Sequence, residues 1–238
     1  MRDVLTIPFD KDNSLIIASD NSGAIGLKDH DLVAVPYDTV AYYSFRVAVM
    51  ECIAAGGQPM SVILQNFCGN GPWEELVRGI QTGLDELGLK DVSITGSTES
   101  NFSLLQSAVG VIVLGKKPLN KITEIKFSEQ LKYAVIGLPL VGMGVIENKN
   151  NIVPLSIFQE ITKIKDIMIW PVGSKGILFE MNQMFQNVRF SPEFVTTNVD
   201  LLKSSGPATC IIVAYPPDQD GVVKKFAGRF FHSVQIER

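Results

Sequence analysis

The sequence predicts an α/β protein made of two domains. Apolar runs of strand length alternate with helical segments in both halves of the chain. The stretch 116–126 between the halves is polar, basic and contains a proline. A length of 238 residues, 46% of them hydrophobic, is enough to fill one large core or two small ones. We therefore expect domains over residues 1–116 and 127–238.

Short apolar runs in the first half predict strands, which fall at residues 15–19, 32–35, 60–67, 92–95 and 108–114. Residues 40–55 have apolar side chains at helical spacing and end at Gly56-Gly57. Residues 72–87 form a second expected helix, with a proline near its start, acidic residues in its first turn and Gly88 after it. The predicted order is β-β-α-β-α-β-β.

The second half repeats the same alternation of segments. Strands are expected at 133–137, 167–170, 208–214 and 230–236. Helices are expected from residue 155, over 174–186, near Asn198 and over 219–226. This order again fits an α/β unit.

Composition excludes several classes of protein. Apolar stretches such as 107–114 and 208–215 span about eight residues, whereas a membrane helix needs about 20. We expect no membrane partner and no signal peptide. The well-separated Cys52, Cys68 and Cys210 form no CxxC pair, which favours the reducing cytoplasm.

The charge is unevenly distributed along the chain. Residues 1–115 carry a net charge of −8 and residues 116–238 a net charge of +4. The acidic half repels a polyphosphate backbone, so we expect no nucleic-acid partner. Some of these carboxylates are expected on solvated loops, while others can recruit a divalent cation through which an anion such as ATP binds.

The common catalytic motifs are absent from the sequence. It contains no GxxxxGK[ST], no GxGxxG and no protein-kinase signature set. Its two histidines, His30 and His232, stand in no metal-binding or triad context. Histidine-based chemistry is therefore not expected.

The first segment of interest is 17–26, where Asp20 and Asn21 follow an apolar run and precede Gly23. A plain β-turn explains these residue types, and so does a carboxylate at a strand end beside open backbone N–H groups. Asp38 follows another expected strand and is either a helix N-cap or a ligand. Glu51 stands among apolar residues near the end of the first helix, where it is either exposed or held by a partner.

The last segment of the first half is the polar stretch 95–101 between two expected strands. A hairpin would explain it, but it can also line a site with hydroxyls, one carboxylate and a carboxamide. Its residues with candidate roles are Thr95, Gly96, Ser97, Thr98, Glu99 and Asn101.

In this order, the four segments resemble the aminoimidazole ribonucleotide synthetase (PurM-like) superfamily. The best local match is 51–59, which is similar to the family's D-x-x-A-M-G-A-x-P helix end. The resemblance covers residues 15–115 well and then weakens, although 205–209 before a strand is similar to the family's second domain. It implies an N-terminal domain that binds ATP and Mg²⁺ and forms a homodimer through its sheet, and a smaller C-terminal α/β domain that closes over the substrate.

The resemblance also implies roles for particular residues. Asp20, Asp38 and Glu51 would be metal-linked carboxylates, and Asp38 and Glu99 would take part in catalysis. The nucleotide phosphates would meet Asn21, Gly23, Thr95, Gly96, Ser97, Thr98 and Asn101. Mg²⁺ neutralises triphosphate charge in such sites, so no P-loop is needed.

Departures from the pattern separate the members of the superfamily. Thiamine-monophosphate kinases carry the motifs Gly-Asp-Asp and Gly-Gly-Asp-Thr. Here Asn21 stands in place of the second aspartate of the first motif, and Ser97 stands in place of the aspartate of the second motif. The early cysteine of selenophosphate synthetase, the terminal cysteine of the hydrogenase maturation factor and the long entry segment of the synthetase are also missing. Segments 95–101 and 136–148 resemble the compact α-ribazole kinase (CblS-like) branch, which implies phosphorylation of α-ribazole, a nucleoside-like acceptor, in cobalamin lower-ligand salvage.

One motif of the second half remains, the Gly-Ser-Lys-Gly sequence at 173–176 before an expected helix. It is either a capped glycine turn or a place where Ser174 and Lys175 hold a polar part of the acceptor. Two further interpretations stay open for the whole protein: another phosphotransferase or synthetase of the superfamily, such as one like thiamine-monophosphate kinase, and a non-catalytic nucleotide-binding paralogue.

Overall fold

A computed structural model describes residues 3–237 of the chain. These residues fall into two compact units, which meet in sequence between Lys121 and Ile122. No helix in the described part of the chain is long and apolar enough to cross a membrane.

The first unit contains one five-stranded sheet and two long helices. Its elements are β1 (Val4–Pro8), β2 (Asn13–Gly23), β3 (Ile25–Gly26), β4 (Val33–Ala34), α1 (Tyr37–Ala54), β5 (Gln58–Asn66), α2 (Trp73–Glu86), β6 (Ser93–Thr98) and β7 (Ala108–Pro118). The sheet order is β1-β2-β7-β5-β6, while β3 and β4 form a separate two-stranded pair. Within the large sheet, β5 and β6 are parallel and the other neighbouring strands are antiparallel. As a result β2, β5 and β6 run in the same direction, and their C-terminal ends lie at the same end of the sheet.

One face of this sheet carries the core of the first unit. Helix α1 packs on β2, β5 and β7, and α2 packs on α1. The strands turn fully buried side chains towards the helices, among them Ile16, Leu64 and Val111. Alternation along each strand thus separates a helix-covered face from a second face.

The second face of the same sheet is also apolar but less covered. Register places Leu5 beside Ile17, Ile17 beside Leu114, and Ile63 beside Ile112. Within the described chain most of these side chains are half-buried, and Leu5 is 58% exposed. An apolar sheet face with partial exposure is typical of a surface that another layer covers.

The second unit is built on an antiparallel sheet. Its elements are β8 (Lys132–Ile136), α3 (Met143–Glu147), α4 (Leu155–Ile161), β9 (Met168–Pro171), α5 (Ile177–Met184), β10 (Val195–Thr196), β11 (Ile211–Tyr215), α6 (Asp220–Ala227) and β12 (Phe231–Ile236). The strand order is β10-β12-β8-β11-β9. The core includes Trp170, Phe185 and Ile212, all of them buried.

Most predicted elements are present, with displaced ends, and the predicted α/β class is correct. The helix expected near Asn198 is wrong, because that residue lies in an irregular segment after β10, where its side chain bonds to His232 Nδ1 at 2.9 Å. The strand expected at 32–35 shortens to Val33–Ala34, and the helix expected from Ser174 begins only at Ile177. Gly176 has a φ of 82°, which lies outside the helical region, so the helix can begin only after this residue.

Candidate functional site

Asp20 lies inside β2 rather than at the strand end that the sequence predicted. The strand continues to Gly23, and Asp20 is paired with Val111 of β7. Strand alternation turns its side chain towards α1, where the Ser44 hydroxyl hydrogen-bonds to it. Burial raises the pKa of Asp20 to about 7, despite hydrogen bonds from the Asn21 backbone and from Ser44 that favour the carboxylate. None of the ion pairs within residues 3–237 involves Asp20.

Asp38 lies in the first turn of α1 and is not its N-cap. The N-cap position is Pro36, and Glu75 Oε1 of α2 accepts a hydrogen bond from the Tyr37 N–H at 3.1 Å. The Asp38 carboxylate accepts from the N–H and the hydroxyl of Thr39 at 2.5 and 3.2 Å. Its position at a helix N-terminus favours negative charge there.

Glu51 lies near the opposite end of α1 and is half-buried. It follows Asp38 by thirteen positions of helix, which corresponds to about 20 Å at about 1.5 Å per residue. The two carboxylates therefore cannot bind one metal ion. Within residues 3–237, no three His, Cys, Asp or Glu side chains are grouped to hold a metal. Asp20, Asp38 and Glu51 thus do not form a ready-made metal site.

Much of the predicted 95–101 loop is strand. Thr95, Gly96, Ser97 and Thr98 belong to β6, the terminal strand of the sheet. Parallel pairing with β5 sets Thr95 against Ile63 and Ser97 against Gln65. A Cβ at Gly96 would collide with the Leu64 carbonyl oxygen, so the close approach of the two strands requires glycine there. The polar residues of this segment predict a loop. Because β6 is the outermost strand of the sheet, it can form without an apolar face of its own.

Register across the sheet aligns predicted residues that are far apart in sequence. Asn21 pairs with Gly110, Gly110 with Gln65, and Gln65 with Ser97. The row therefore crosses four strands, near the end of the sheet where β2, β5 and β6 terminate. The Gln65 side chain lies over Gly110, where an added Cβ would come within 2.8 Å of Oε1. Asn21 and Ser97 share a sheet face but are about 14 Å apart, three strand spacings.

Glu99 and Asn101 follow β6 in a tight turn. Glu99 Oε1 accepts hydrogen bonds from the N–H groups of Asn101 and Phe102 at 2.7 and 3.1 Å. Asn66 Nδ2 donates to the Thr98 hydroxyl at 3.1 Å, and the Glu99 N–H donates to the Asn66 carbonyl at 2.8 Å. Glu99 thus has a structural role in shaping this turn.

A partly buried polar cluster that the sequence did not reveal lies at the same end of the sheet. Asp31 accepts hydrogen bonds from the N–H and the hydroxyl of Ser107 at 2.7 Å each, and from the Lys28 N–H at 2.9 Å. The Ser107 hydroxyl also pairs with Tyr37 at 3.0 Å. Burial opposes ionisation of Asp31, but these bonds outweigh it and lower the pKa. Gly26 fits tightly against Ser107, so the cluster fixes the 24–36 segment to the starts of β7 and α1.

In the second unit, Ser174 and Lys175 lie on the exposed turn between β9 and α5. The Lys175 ammonium lies 4.4 Å from the centre of the Phe179 ring. The Ser205 N–H donates to the Gly173 carbonyl at 3.1 Å, which brings the turn beside the 205–209 segment. Two of the segments singled out in this half of the sequence, 173–176 and 205–209, are therefore neighbours.

Comparison with known proteins adds evidence about the fold. No protein-family model and no curated protein sequence matches the chain. Among solved structures, T. maritima PurL complexed with ATP superposes at a TM-score of 0.65 with 12% identity over 98% of this chain. This chain spans 42% of that PurL chain. The tt0281 protein from Thermus thermophilus gives a TM-score of 0.62 at 14% identity, with 99% of this chain and 86% of that one covered.

A chain in a HypE-HypF complex gives a TM-score of 0.60 at 12% identity, covering 98% of this chain and 87% of that one. PurL and HypE are members of the PurM-like superfamily. At these identities the likeness shows the fold alone. The protein is therefore an α/β chain with the PurM-like fold, the fold that the motifs of its first half predicted.

Proposed function

We propose that this chain is an ATP- and Mg²⁺-dependent small-molecule kinase that phosphorylates α-ribazole to α-ribazole 5′-phosphate. The proposal rests on the PurM-like fold together with the motif resemblance of segments 95–101 and 136–148. Among its structural neighbours, T. maritima PurL has been solved with ATP, with ADP and with AMPPCP. A phosphotransferase with another acceptor, such as thiamine monophosphate, has the same fold and nucleotide requirements.

The observation that carries the proposal is the environment of Asp20. Burial raises the pKa of its carboxyl to about 7, and no ion pair within residues 3–237 neutralises it. An external cation would stabilise the carboxylate. Mg²⁺ is commonly bound by one or two protein carboxylates together with substrate phosphates.

The roles in this proposal are those that the motif resemblance implies, adjusted for the contacts of each residue. Asp20 and Asp38 would hold Mg²⁺, which would neutralise triphosphate charge. Glu99 is assigned to positioning of the 99–102 turn, since its Oε1 already accepts two backbone hydrogen bonds. In the second unit, Ser174 and Lys175 would bind the acceptor. The residues that would face the phosphates divide between the two sheet faces: Gly96 and Thr98 lie on the face of Asp20, whereas Asn21, Gly23, Thr95 and Ser97 lie on the other, and Asn101 follows β6.

A non-catalytic nucleotide-binding role is the second candidate. It is favoured by Ser97, a hydroxyl where thiamine-monophosphate kinases carry a carboxylate, and by the engagement of Glu99 within its own turn. Under this hypothesis, ATP binds but no acceptor stimulates its turnover.

The experiment that separates these functions is ADP release from Mg-ATP with and without α-ribazole, with the product weighed by mass spectrometry. The kinase proposal predicts a gain of one phosphoryl mass on α-ribazole. The Asp38→Asn and Asp20→Asn variants should each lose at least about 100-fold in turnover, while the matched control Asp91→Asn, an exposed change after α2, retains it. ATP binding without α-ribazole-dependent ADP would reject the α-ribazole kinase and leave a phosphotransferase with another acceptor or the non-catalytic binding role.

We further propose that the chain forms a homodimer whose interface is the second face of the first unit's sheet. Leu5, Ile17 and Ile63 lie on this apolar face, and a second copy would remove their exposed area from water. Light scattering at micromolar concentration should give the mass of two chains. Leu5→Asp should give monomers, whereas Leu32→Asp, at a residue 84% exposed outside this sheet, should leave the mass unchanged. A monomeric wild type would contradict the proposal.

A further inference from the structure

The second unit contains a cavity that the proposed function does not use. Its volume is about 630 Å³, within the range of small-molecule sites. It lies where β8 begins and β11 ends, since both Lys132 and its strand partner Tyr215 line it. The Ser174–Lys175 turn follows β9 at the other end of the sheet, where Pro171 pairs with Ile211, the first residue of β11. The cavity is therefore a separate site.

Two ammonium groups are held together on one wall of the cavity. Lys132 Nζ and Lys224 Nζ both bind Asp220 Oδ2, at 3.0 and 2.9 Å. The Tyr215 hydroxyl donates to Asp220 Oδ1 at 3.1 Å, so both carboxylate oxygens are engaged. The Asp220 side chain is 19% exposed, whereas those of Lys132 and Lys224 are 46% and 53% exposed. The carboxylate thus fixes the two ammonium groups while leaving them accessible.

Aromatic side chains form another part of the lining. Phe127 stacks on Tyr133 with ring centres 5.8 Å apart and makes edge contacts with Phe185 and Phe190 inside the core. The Lys224 ammonium lies 5.4 Å from the centre of the Phe231 ring, which further restricts it. The cavity therefore combines a rigid aromatic surface with fixed positive charge.

The charges of the lining limit the charge of a ligand. Lys132, Lys224 and Asp220 together carry one formal positive charge, which Glu129 in the same lining offsets. Glu129 also lines the cavity and is exposed, so it would repel an anion with several charges. One carboxylate or phosphate monoester can accept hydrogen bonds from both ammonium groups, whereas a triphosphate is disfavoured.

We propose that this cavity binds a small molecule with a flat aromatic body and a single anionic group. The anion binds Lys132 and Lys224, and the ring packs against Phe127 and Phe231. The site is distinct from the proposed nucleotide site in both its residues and its charge, and it does not depend on the kinase proposal.

The test is titration of the full chain, monitored by amide NMR shifts, with benzoate and with phenyl phosphate. Acetate, inorganic phosphate and benzyl alcohol supply the anion or the ring alone. We expect shifts in 127–133 and 231–236 but not at Ser174. We also expect binding about tenfold tighter than either part alone, because both surfaces contribute. Whichever aromatic probe binds more tightly identifies the anion. Saturating Mg-ATP should leave this binding unchanged.

Two variants and a control complete the test. Lys132→Met and Lys224→Met should each weaken binding about tenfold, since each removes a charge-assisted hydrogen bond. Lys225→Met, on the same helix but outside the lining, should not change it. Thermal unfolding of each variant shows whether the fold is kept; if a variant unfolds, the comparison of whole probes with their parts still decides. Equal binding of probes and parts, or unchanged binding in both folded lysine variants, would overturn the proposal.

Discussion

Replacing Asp20 with asparagine tests whether this carboxyl is protonated in the folded protein. Burial raises the pKa of Asp20 from 3.8 to about 7, so the folded state binds its proton more tightly than the unfolded state does. Its contribution to stability is therefore fully present at pH below 3.8 and is lost as pH rises to about 7. A shift of this size corresponds to at most about 4.5 kcal/mol, because each pKa unit is worth about 1.4 kcal/mol. Partial exposure reduces this, so we expect about 2–4 kcal/mol.

The assay is urea unfolding of wild type and Asp20→Asn between about pH 4 and 8. Asparagine resembles the protonated acid and cannot ionise, so the variant lacks this pH dependence. The two proteins should have similar free energies of unfolding near pH 4, and the variant should be about 2–4 kcal/mol more stable at pH 8. Asp91→Asn, at an exposed position, controls for the loss of one negative charge. Parallel stability curves for wild type and Asp20→Asn would refute the reasoning, since other titrating groups cancel in the comparison.

Two further predictions concern the packing around the candidate site. Gly79→Ala should lower the free energy of unfolding by about 1–3 kcal/mol in urea, because the new Cβ would collide with the Asp38 carbonyl oxygen; Gly71→Ala, with open space around it, should change it by less than about 0.5 kcal/mol, and an equal effect would contradict the reasoning. Ser107→Ala should cost about 1–3 kcal/mol in the same assay, since the Asp31 carboxylate and the Tyr37 hydroxyl each lose a partner. No loss of stability in Ser107→Ala would show that water replaces these bonds.

The order of elements is largely predictable from the first half of the sequence. Residues 40–55 and 72–87 carry helical periodicity with clear ends, and both helices form within about three residues of the predicted limits. β1 is absent from the predicted order, although Val4, Leu5 and Ile7 are apolar and β-prone; its side chains are mostly exposed, and pairing with β2 makes it a strand. The polar residues of β6 favour a loop locally, and only pairing with β5 makes them a strand.

The candidate site is less predictable than the fold. The family resemblance singles out Asp20 and Asp38, but it does not reveal that Asp20 turns inward against Ser44. It also groups Glu51 with them, although about 20 Å of helix separates Glu51 from Asp38. Asp31 and Ser107 are 76 residues apart in the sequence, and no local sequence pattern predicts the hydrogen bonds between them.

The α/β class follows from the amino-acid sequence alone, because periodicity and turn chemistry are local properties. The likeness of the first half to the PurM-like superfamily is a resemblance of motifs, among them 51–59. Which polar groups meet, in contrast, is a property of the folded chain. The row from Asn21 to Ser97 depends on the register of four strands, and the lysine pair on Asp220 depends on a helix meeting a strand 88 residues away in sequence. Such contacts are fixed by the packing of the whole unit, and a single sequence carries no local signal for them.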